Sequence, residues 1–364
     1  MMTMTRCEDQ ALHGGVQTTE LAPGYTIPKV ILGGWQLSKG HALGAALDND
    51  AVERAFLTLK AGGLNTFDGA DIYTGVEDFY GTLTAKERAA GRAIPQVHTK
   101  FVPDLNDLAK VDYAYVERVI TRSCRRLQRE TLDLVQFHWW DYDVLGMVDV
   151  AGYLVDLQNK GLIRHIGTTN FNAEQLERLL KAGIPVVSNQ CQYSILDRRP
   201  AKRLVGLCER YGVKLLCYGT LAGGFLSERY LGVELPSESE NRSLVKYALV
   251  IEDTLGWDGF QALLRKMDEM AKAKGISISE LATLYTLSRP GVAAAIVGVR
   301  NDRHLAETLR LASSTLTSEE IRQLEALTAG VADLPGDAFD IERDPESAHR
   351  KIMRMNLVNS VTGS

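Results

Sequence analysis

Residues 64–73 read LNTFDGADIY, and their reading decides how the rest of the chain is parsed. The first four follow Gly62-Gly63 and include a β-branched and an aromatic residue, the profile of a short buried strand leaving a turn. The strand runs into Asp68, and Tyr73 stands five residues further on, in a loop. A carboxylate at a strand end and a phenol just beyond it can face one cavity. The pair alone fits equally an Asp that caps the next helix or closes a turn. What stands at the other strand ends decides between these readings.

Short apolar or β-branched runs recur at 29–33, 64–67, 96–99, 132–137, 164–167, 186–189, 213–218 and 293–297. Helical patterns lie between them. The stretch 49–61 puts Val52, Ala55, Phe56 and Leu59 on one face, and 112–127 does the same with Tyr115, Val119, Ile120 and Cys124. Asn172 is placed to cap a helix over 173–181, with Gln175 to complete a capping box and Gly183 to end it. Further helices fit 148–159, 199–211, 259–273, 302–311 and 318–327, the last opened by Thr317 and Glu320. Eight strands alternating with helices predict a parallel α/β fold. Eight also closes a barrel, and no glycine-rich dinucleotide fingerprint follows the first strand. The expectation is therefore a single-domain (β/α)8 TIM barrel over 1–364 with its core at about 27–327, a doubly wound open sheet being the alternative. A polar lead over 1–25 carries a small hairpin within 15–27 across Pro23-Gly24. An insertion at 227–258 separates strands seven and eight, and a tail covers 331–364.

Composition narrows the partners. Of 364 residues 45% are hydrophobic and 24% charged, and the net charge is −5 with no long basic run, which argues against nucleic acid or an anionic membrane. No apolar window is long enough to span a bilayer, and MMTMTRCEDQ lacks a signal-peptide core. The five cysteines include no C-x-x-C pair, so neither a disulfide framework nor zinc is expected, and a cytoplasmic location is the natural reading. The seven histidines have no metal-binding spacing, so no metal is expected. G-x-S-x-G and G-x-x-x-x-G-K-[ST] motifs are missing. Cys191 and Cys217 read as small core residues near the mouth with some liability to oxidation, and His165 as a residue flanking a strand.

In this register Lys100 (HTKF) follows the third strand and His138 (VQFHWW) the fourth, so both join Asp68 and Tyr73 at the mouth where parallel strands end. The four suit carbonyl reduction. A phenol titrates near pH ~10 unperturbed, and a Lys100 ammonium beside Tyr73 lowers that value. Asp68 holds Lys100 charged, while His138 hydrogen-bonds the substrate oxygen. Trp35, Tyr73, His138 and Trp139 are expected to line the substrate pocket, with Trp140 beside them. None of these groups is a hydride donor, so a cofactor is required.

The segment FDGADIYTGVEDFYG, with Asp68, Tyr73, Glu77 and Gly81, resembles the first signature of the aldo-keto reductase family. HTKF and LVQFHWW resemble the strand ends that carry the family's Lys and His. The likeness extends over roughly 27–327 and implies a catalytic tetrad of Asp68, Tyr73, Lys100 and His138. It also implies a nicotinamide cofactor lying extended across a barrel mouth. GLIRHIGTTNF resembles the family's G-x-I-R-x-I-G-x-S-N-F, which implies that Thr169 and Asn170, with Gln190 of SNQCQY, hold the carboxamide. LLCYGTLAGGFL resembles Y-S-P-L-x-x-G-x-L, which implies stacking by Tyr218 and a pyrophosphate path along Gly219, Thr220 and Leu221, with Thr220 standing where the family has Pro. AAIVGVRNDRHLAETL resembles the last cofactor segment, which implies contacts from Gly298, Arg300, His304, Glu307 and Thr308. Arg300 would meet the 2′-phosphate of NADP, while His304 and Thr308 replace the usual Gln and Asn. Gly34, Trp35 and Asp68 complete the implied cofactor set. The resemblance thus implies an NADPH-preferring reductase of small aldehydes or ketones, with 227–258 and the tail as pocket loops. The alternative it leaves is a cofactor-binding regulatory or redox-sensing subunit with slow turnover.

Overall fold

The computed structural model of the chain describes residues 15–38, 47–236 and 242–353, so 1–14 of the polar lead, including Cys7, lie outside the described residues. A two-stranded antiparallel hairpin comes first, β1 (Thr18–Ala22) and β2 (Tyr25–Pro28), turned at Gly24 with φ 72°. The alternation follows in order: β3 (Val30–Gly33), α1 (Asn49–Ala61), β4 (Thr66–Asp68), α2 (Val76–Ala89), β5 (Gln96–Phe101), α3 (Tyr113–Leu127), β6 (Leu132–Phe137) and α4 (Met147–Asn159). Next are β7 (Ile163–Thr169), α5 (Ala173–Lys181), β8 (Val186–Gln192), α6 (Leu204–Tyr211) and β9 (Lys214–Tyr218). Three helices precede the last strand, α7 (Arg242–Thr254), α8 (Gly256–Lys274) and α9 (Ile278–Leu287). Then come β10 (Val292–Gly298), α10 (Leu305–Ser313), α11 (Ser318–Leu327) and a short α12 (Ala348–Lys351).

Strands β3 to β10 pair in parallel with their sequence neighbours, and β10 returns to β3 with Ala295 opposite Val30 and Gly298 opposite Gly33. The sheet is therefore closed, and the open doubly wound alternative is excluded. Strands buried on both faces read as continuous apolar runs, as in β3, where Val30, Ile31 and Leu32 are all buried. The hairpin covers one end of the barrel. Tyr25 and His98 share a 3.1 Å hydrogen bond, the Tyr25 ring lies 4.8 Å from that of His165, and Leu21 and Ile27 pack inward. Burial pushes His98 down to about 3, so it stays neutral in this plug.

Helix boundaries follow their caps. Asp48 accepts from the backbone of Asp50 and Ala51 to start α1, and Asp112 accepts from Tyr115 N at 2.8 Å to start α3. Asn172 caps α5 as expected, but Gln175 does not complete a box; its side chain accepts from Arg178 instead. Thr317 and Glu320 form the full box at α11, and so do Ser277 and Glu280 at α9. Helices α2, α7, α9 and the short α12 are absent from the expected set. Helix α9 is buried almost all round, which erases the 3.6-residue signal, and α7 emerges from the insertion. The expected start at 199 moves to Leu204 because Arg199–Ala201 forms a separate 3-10 turn around Pro200.

At Gly81 helices α2 and α3 touch so closely that a Cβ would run into the Arg126 carbonyl oxygen. Propensity alone favours Ala in a helix by about 1 kcal/mol, whereas overpacking against a backbone atom that cannot rotate away costs about 1–3 kcal/mol. The clash therefore wins. Gly81→Ala is expected to lower the urea unfolding midpoint, and an unchanged midpoint would mean that the two helices separate freely.

Candidate active site

Asp68 ends β4, Lys100 stands one residue before the end of β5, and His138 follows β6, so register alone brings three of the tetrad to one rim. Tyr73 enters from the loop between β4 and α2. Lys100 Nζ donates to Asp68 Oδ1 at 2.6 Å and to the Gly69 carbonyl at 2.8 Å, and it interacts with the Tyr73 phenol, whose ring centroid is 5.0 Å away. Asp68 and Lys100 are 4% and 5% exposed, so each ion needs the other. The other carboxylate oxygen of Asp68 accepts from Gln136 Nε2 at 3.0 Å and Gln190 Nε2 at 2.7 Å.

Burial sets the protonation states. It pushes the Tyr73 phenol above its ordinary value. Lys100 pulls the other way, as expected, but does not prevail, since Asp68 and Asp71 reinforce the upward shift. The expected net lowering of Tyr73 is thus reversed in the folded chain, which holds the phenol as a neutral acid. Burial pulls Lys100 down, but Asp68 outweighs it, with Tyr73 adding to the upward shift. His138 is pushed down to about 3, first by burial and then by Arg343. Its Nδ1 lies 3.0 Å from the Thr169 carbonyl oxygen. A carbonyl only accepts, so the neutral imidazole carries its proton there. Nε2 is left as a buried lone pair with no partner among the described residues.

A cavity of ≈ 380 Å³ opens at this rim. Trp35, Tyr73 and His138 line it as expected. Trp139 does not: it is fully buried, packs on Phe137 and donates to the Val144 carbonyl. Trp140 takes its place, edge-on to His138 with ring centroids 4.3 Å apart. Side chains alternate along an extended segment, so 138 and 140 face the mouth while 139 faces the helix layer.

Thr169, Asn170, Gln190, Tyr218, Gly219, Thr220, Leu221 and Gly298 also line the cavity. Asn170 sits at φ 62° and its Oδ1 accepts from the Tyr218 hydroxyl at 2.8 Å. Gly34 lies off the lining, where a Cβ would strike Tyr80, so this glycine serves close packing beneath Asp68. Arg300, His304, Glu307 and Thr308 lie off it too. Arg300 is exposed and unpartnered among the described residues, His304 pairs with Glu307 at 2.9 Å, and the Thr308 hydroxyl donates to the His304 carbonyl.

Sequence reasoning missed several residues at this mouth. Gln136 is fully buried beneath it, and Lys246 and Tyr247 reach the cavity from α7. The tail does more than border the pocket. Phe339 lies edge-on to His138 at 5.9 Å. Arg343 donates to the carbonyls of Trp139, Trp140 and Asn170 at 2.9, 3.2 and 2.9 Å and stacks on Tyr142. Glu342 pairs with Arg199 at 2.9 Å and Lys246 at 3.4 Å. The mixed-charge stretch around 337–343 has no periodicity, so no pattern rule picks it out. Cys191 and Cys217 are fully buried and opposite each other on β8 and β9, which fits the core reading.

Comparison with known proteins agrees with this geometry. The model of the Aldo/keto reductase family matches residues 29–329. Pyridoxal reductase from the Arabidopsis thaliana chloroplast is 28% identical over 301 residues, covering 76% of each chain. Aldo-keto reductase YhdN of Bacillus subtilis is 25% identical over 62% of this chain and 67% of its own. Among solved structures, glycerol dehydrogenase AKR11B4 from Gluconobacter oxydans superposes with a TM-score of 0.73 at 22% identity, over 90% of this chain and 98% of that one. An aldo/keto reductase from Klebsiella pneumoniae, in complex with NADP and acetate, gives 0.63 at 21% identity, over 85% and 96%. With a family match across the whole barrel, the chain belongs to the aldo/keto reductase family.

Proposed function

We propose that the protein reduces aldehydes or ketones with NADPH and runs in reverse on the alcohols. The observation that carries this reading is the buried Lys100–Asp68 pair, with the half-buried Tyr73 against Lys100, opening beside His138 into a cavity walled by aromatic rings. The residues present suit a nicotinamide cofactor. Gln190 has a side-chain oxygen with no partner among the described residues, and Asn170 keeps its amide NH2 for a carboxamide oxygen because its own oxygen is taken. Gly219 and Gly223 have φ 74° and 68°, and a Cβ on either would strike Tyr247. Bare backbone therefore borders the cavity where a pyrophosphate would run. An unpartnered Arg300 fits a 2′-phosphate and favours NADPH over NADH.

When bound, the nicotinamide would supply the hydride. The chain's own residues handle the proton. Tyr73, kept neutral by burial, donates its hydroxyl hydrogen to the substrate oxygen. Lys100 then stabilises the phenolate left behind, and Asp68 keeps Lys100 charged and aimed. The Nε2 lone pair of His138 receives a hydroxyl hydrogen, which matches the alcohol side of the reaction. Trp35, Ile72, Val102, Trp140 and Phe339 offer flat and apolar walls suited to an aromatic aldehyde. The Arabidopsis relative, named a pyridoxal reductase, supports the same class.

The purified chain is expected to oxidise NADPH in the presence of a reactive aromatic aldehyde. Tyr73→Phe should cut kcat by about 10²–10⁴-fold while leaving NADPH affinity, read by fluorescence titration, close to the parent's. Retained turnover would sink the proposed acid. The pH profile supplies a second check. A histidine held at about 3 is neutral throughout the working range, and a raised phenol stays protonated there. Aldehyde reduction should therefore be flat across roughly pH 5–8. An acid limb centred at the ordinary imidazole value would show that His138 titrates during turnover.

A further inference from the structure

We infer that Gln136, an uncharged residue beneath the mouth, is a positioning residue that links the proton-delivery pair to the nicotinamide carboxamide. This rests on the nicotinamide reading above. Asp68, Gln136 and Gln190 come from β4, β6 and β8, alternate strands of the barrel, and so belong to one inward layer of side chains. Such layers are normally packed with branched apolar residues. Here the layer is polar and buried, Gln136 completely so. Each polar group in it therefore needs a partner.

The hydrogen-bond inventory fixes every amide. Asp68 can only accept, so both glutamines turn their NH2 groups to its Oδ2, Gln136 at 3.0 Å and Gln190 at 2.7 Å. Gln190 has one N–H left, and it donates to Gln136 Oε1 at 2.8 Å. With both hydrogens spent, the Gln190 amide is held from two sides, and its oxygen is the one atom free to accept from a ligand. A nicotinamide carboxamide offers that donor in its NH2. Turning the Gln190 amide over would set its oxygen against two other oxygens, Asp68 Oδ2 and Gln136 Oε1. The same Gln136 NH2 also helps hold the carboxylate against Lys100. One amide thus steadies the acid side and the cofactor side together.

Binding of NADP+ is compared with binding of its 3-acetylpyridine analogue, in which a methyl group replaces the carboxamide NH2. The readout is the ratio of the two dissociation constants, measured by fluorescence titration of the full chain. A merely structural role for Gln136 would weaken both ligands alike and leave the ratio unchanged. Gln136→Met is expected to reduce the parent's preference for NADP+ by about threefold to tenfold, the worth of one neutral hydrogen bond. Gln190→Met should abolish the preference, and the double variant should lose nothing beyond Gln190→Met. Where Gln136→Met does not fold by circular dichroism, Gln136→Asn withdraws the amide by one methylene and should show the same fall. An unchanged ratio in a folded Gln136 variant, with the preference lost in Gln190→Met, overturns the role of Gln136 and leaves the nicotinamide reading standing. A ratio that ignores Gln190→Met as well overturns both.

Discussion

The Lys100–Asp68 ion pair is the constraint around which this barrel end is organised. An ammonium and a carboxylate almost fully removed from water each carry a desolvation cost of several kcal/mol, and an unpartnered charge here would be untenable. The pair is viable because neighbours complete it. The Gly69 carbonyl takes a second Lys100 hydrogen, and two glutamine amides take the other Asp68 oxygen. The backbone carbonyl of Asp68 is itself held by Gly34 N and the Tyr80 hydroxyl. Gly34 is therefore glycine for the sake of this pair, although it lies off the cavity lining.

A second buried ionic group secures the rim. Arg199, nearly inaccessible, is held by Asp197 at 2.7 Å and Glu342 at 2.9 Å, with Lys246 of α7 at 3.4 Å from Glu342 and Gln192 donating to Asp197. Two cations and two anions balance. Burial pushes the Glu342 carboxyl up, but Lys246 and Arg199 outweigh it and hold it at about 2. Its contribution is therefore complete above the ordinary carboxylate range and is lost as pH falls toward 2. The group joins three segments distant in sequence, the turn between β8 and α6, helix α7 and the tail. Asp337 and Asp340 add contacts to Ala173 N and the Asn172 side chain at the head of α5.

Much of this was legible in the sequence because parallel barrel strands are buried on both faces. Such strands appear as the short β-branched runs that gave all eight, and the pairing of β10 with β3 decides for the barrel over the open sheet. The convergence of Asp68, Lys100 and His138 on one rim was legible for the same reason: a residue at a parallel strand end has its place fixed by register, whereas Tyr73 enters from a loop. What register does not govern was harder to see. Trp140 rather than Trp139 at the mouth follows from the alternation of side chains continuing beyond β6. Helix α9 lost its periodic signature to complete burial, and its capping box was the overlooked cue. Gln136 escaped notice because an uncharged amide inside a strand resembles any other strand residue until its partners are known. The tail's role depends on contacts spanning up to 204 positions, such as Arg343 to Trp139, and no local pattern encodes these.

Arg343 has a consequence for the order in which the molecule is made. The eight strands are complete once Gly298 is reached, and by then the chain already contains Asp68, Tyr73, Lys100 and His138. The carbonyls of Trp139, Trp140 and Asn170 receive the Arg343 guanidinium only after some forty-five further residues have been added. A chain emerging from the ribosome can therefore close its barrel while the rim beside His138 is still unfinished.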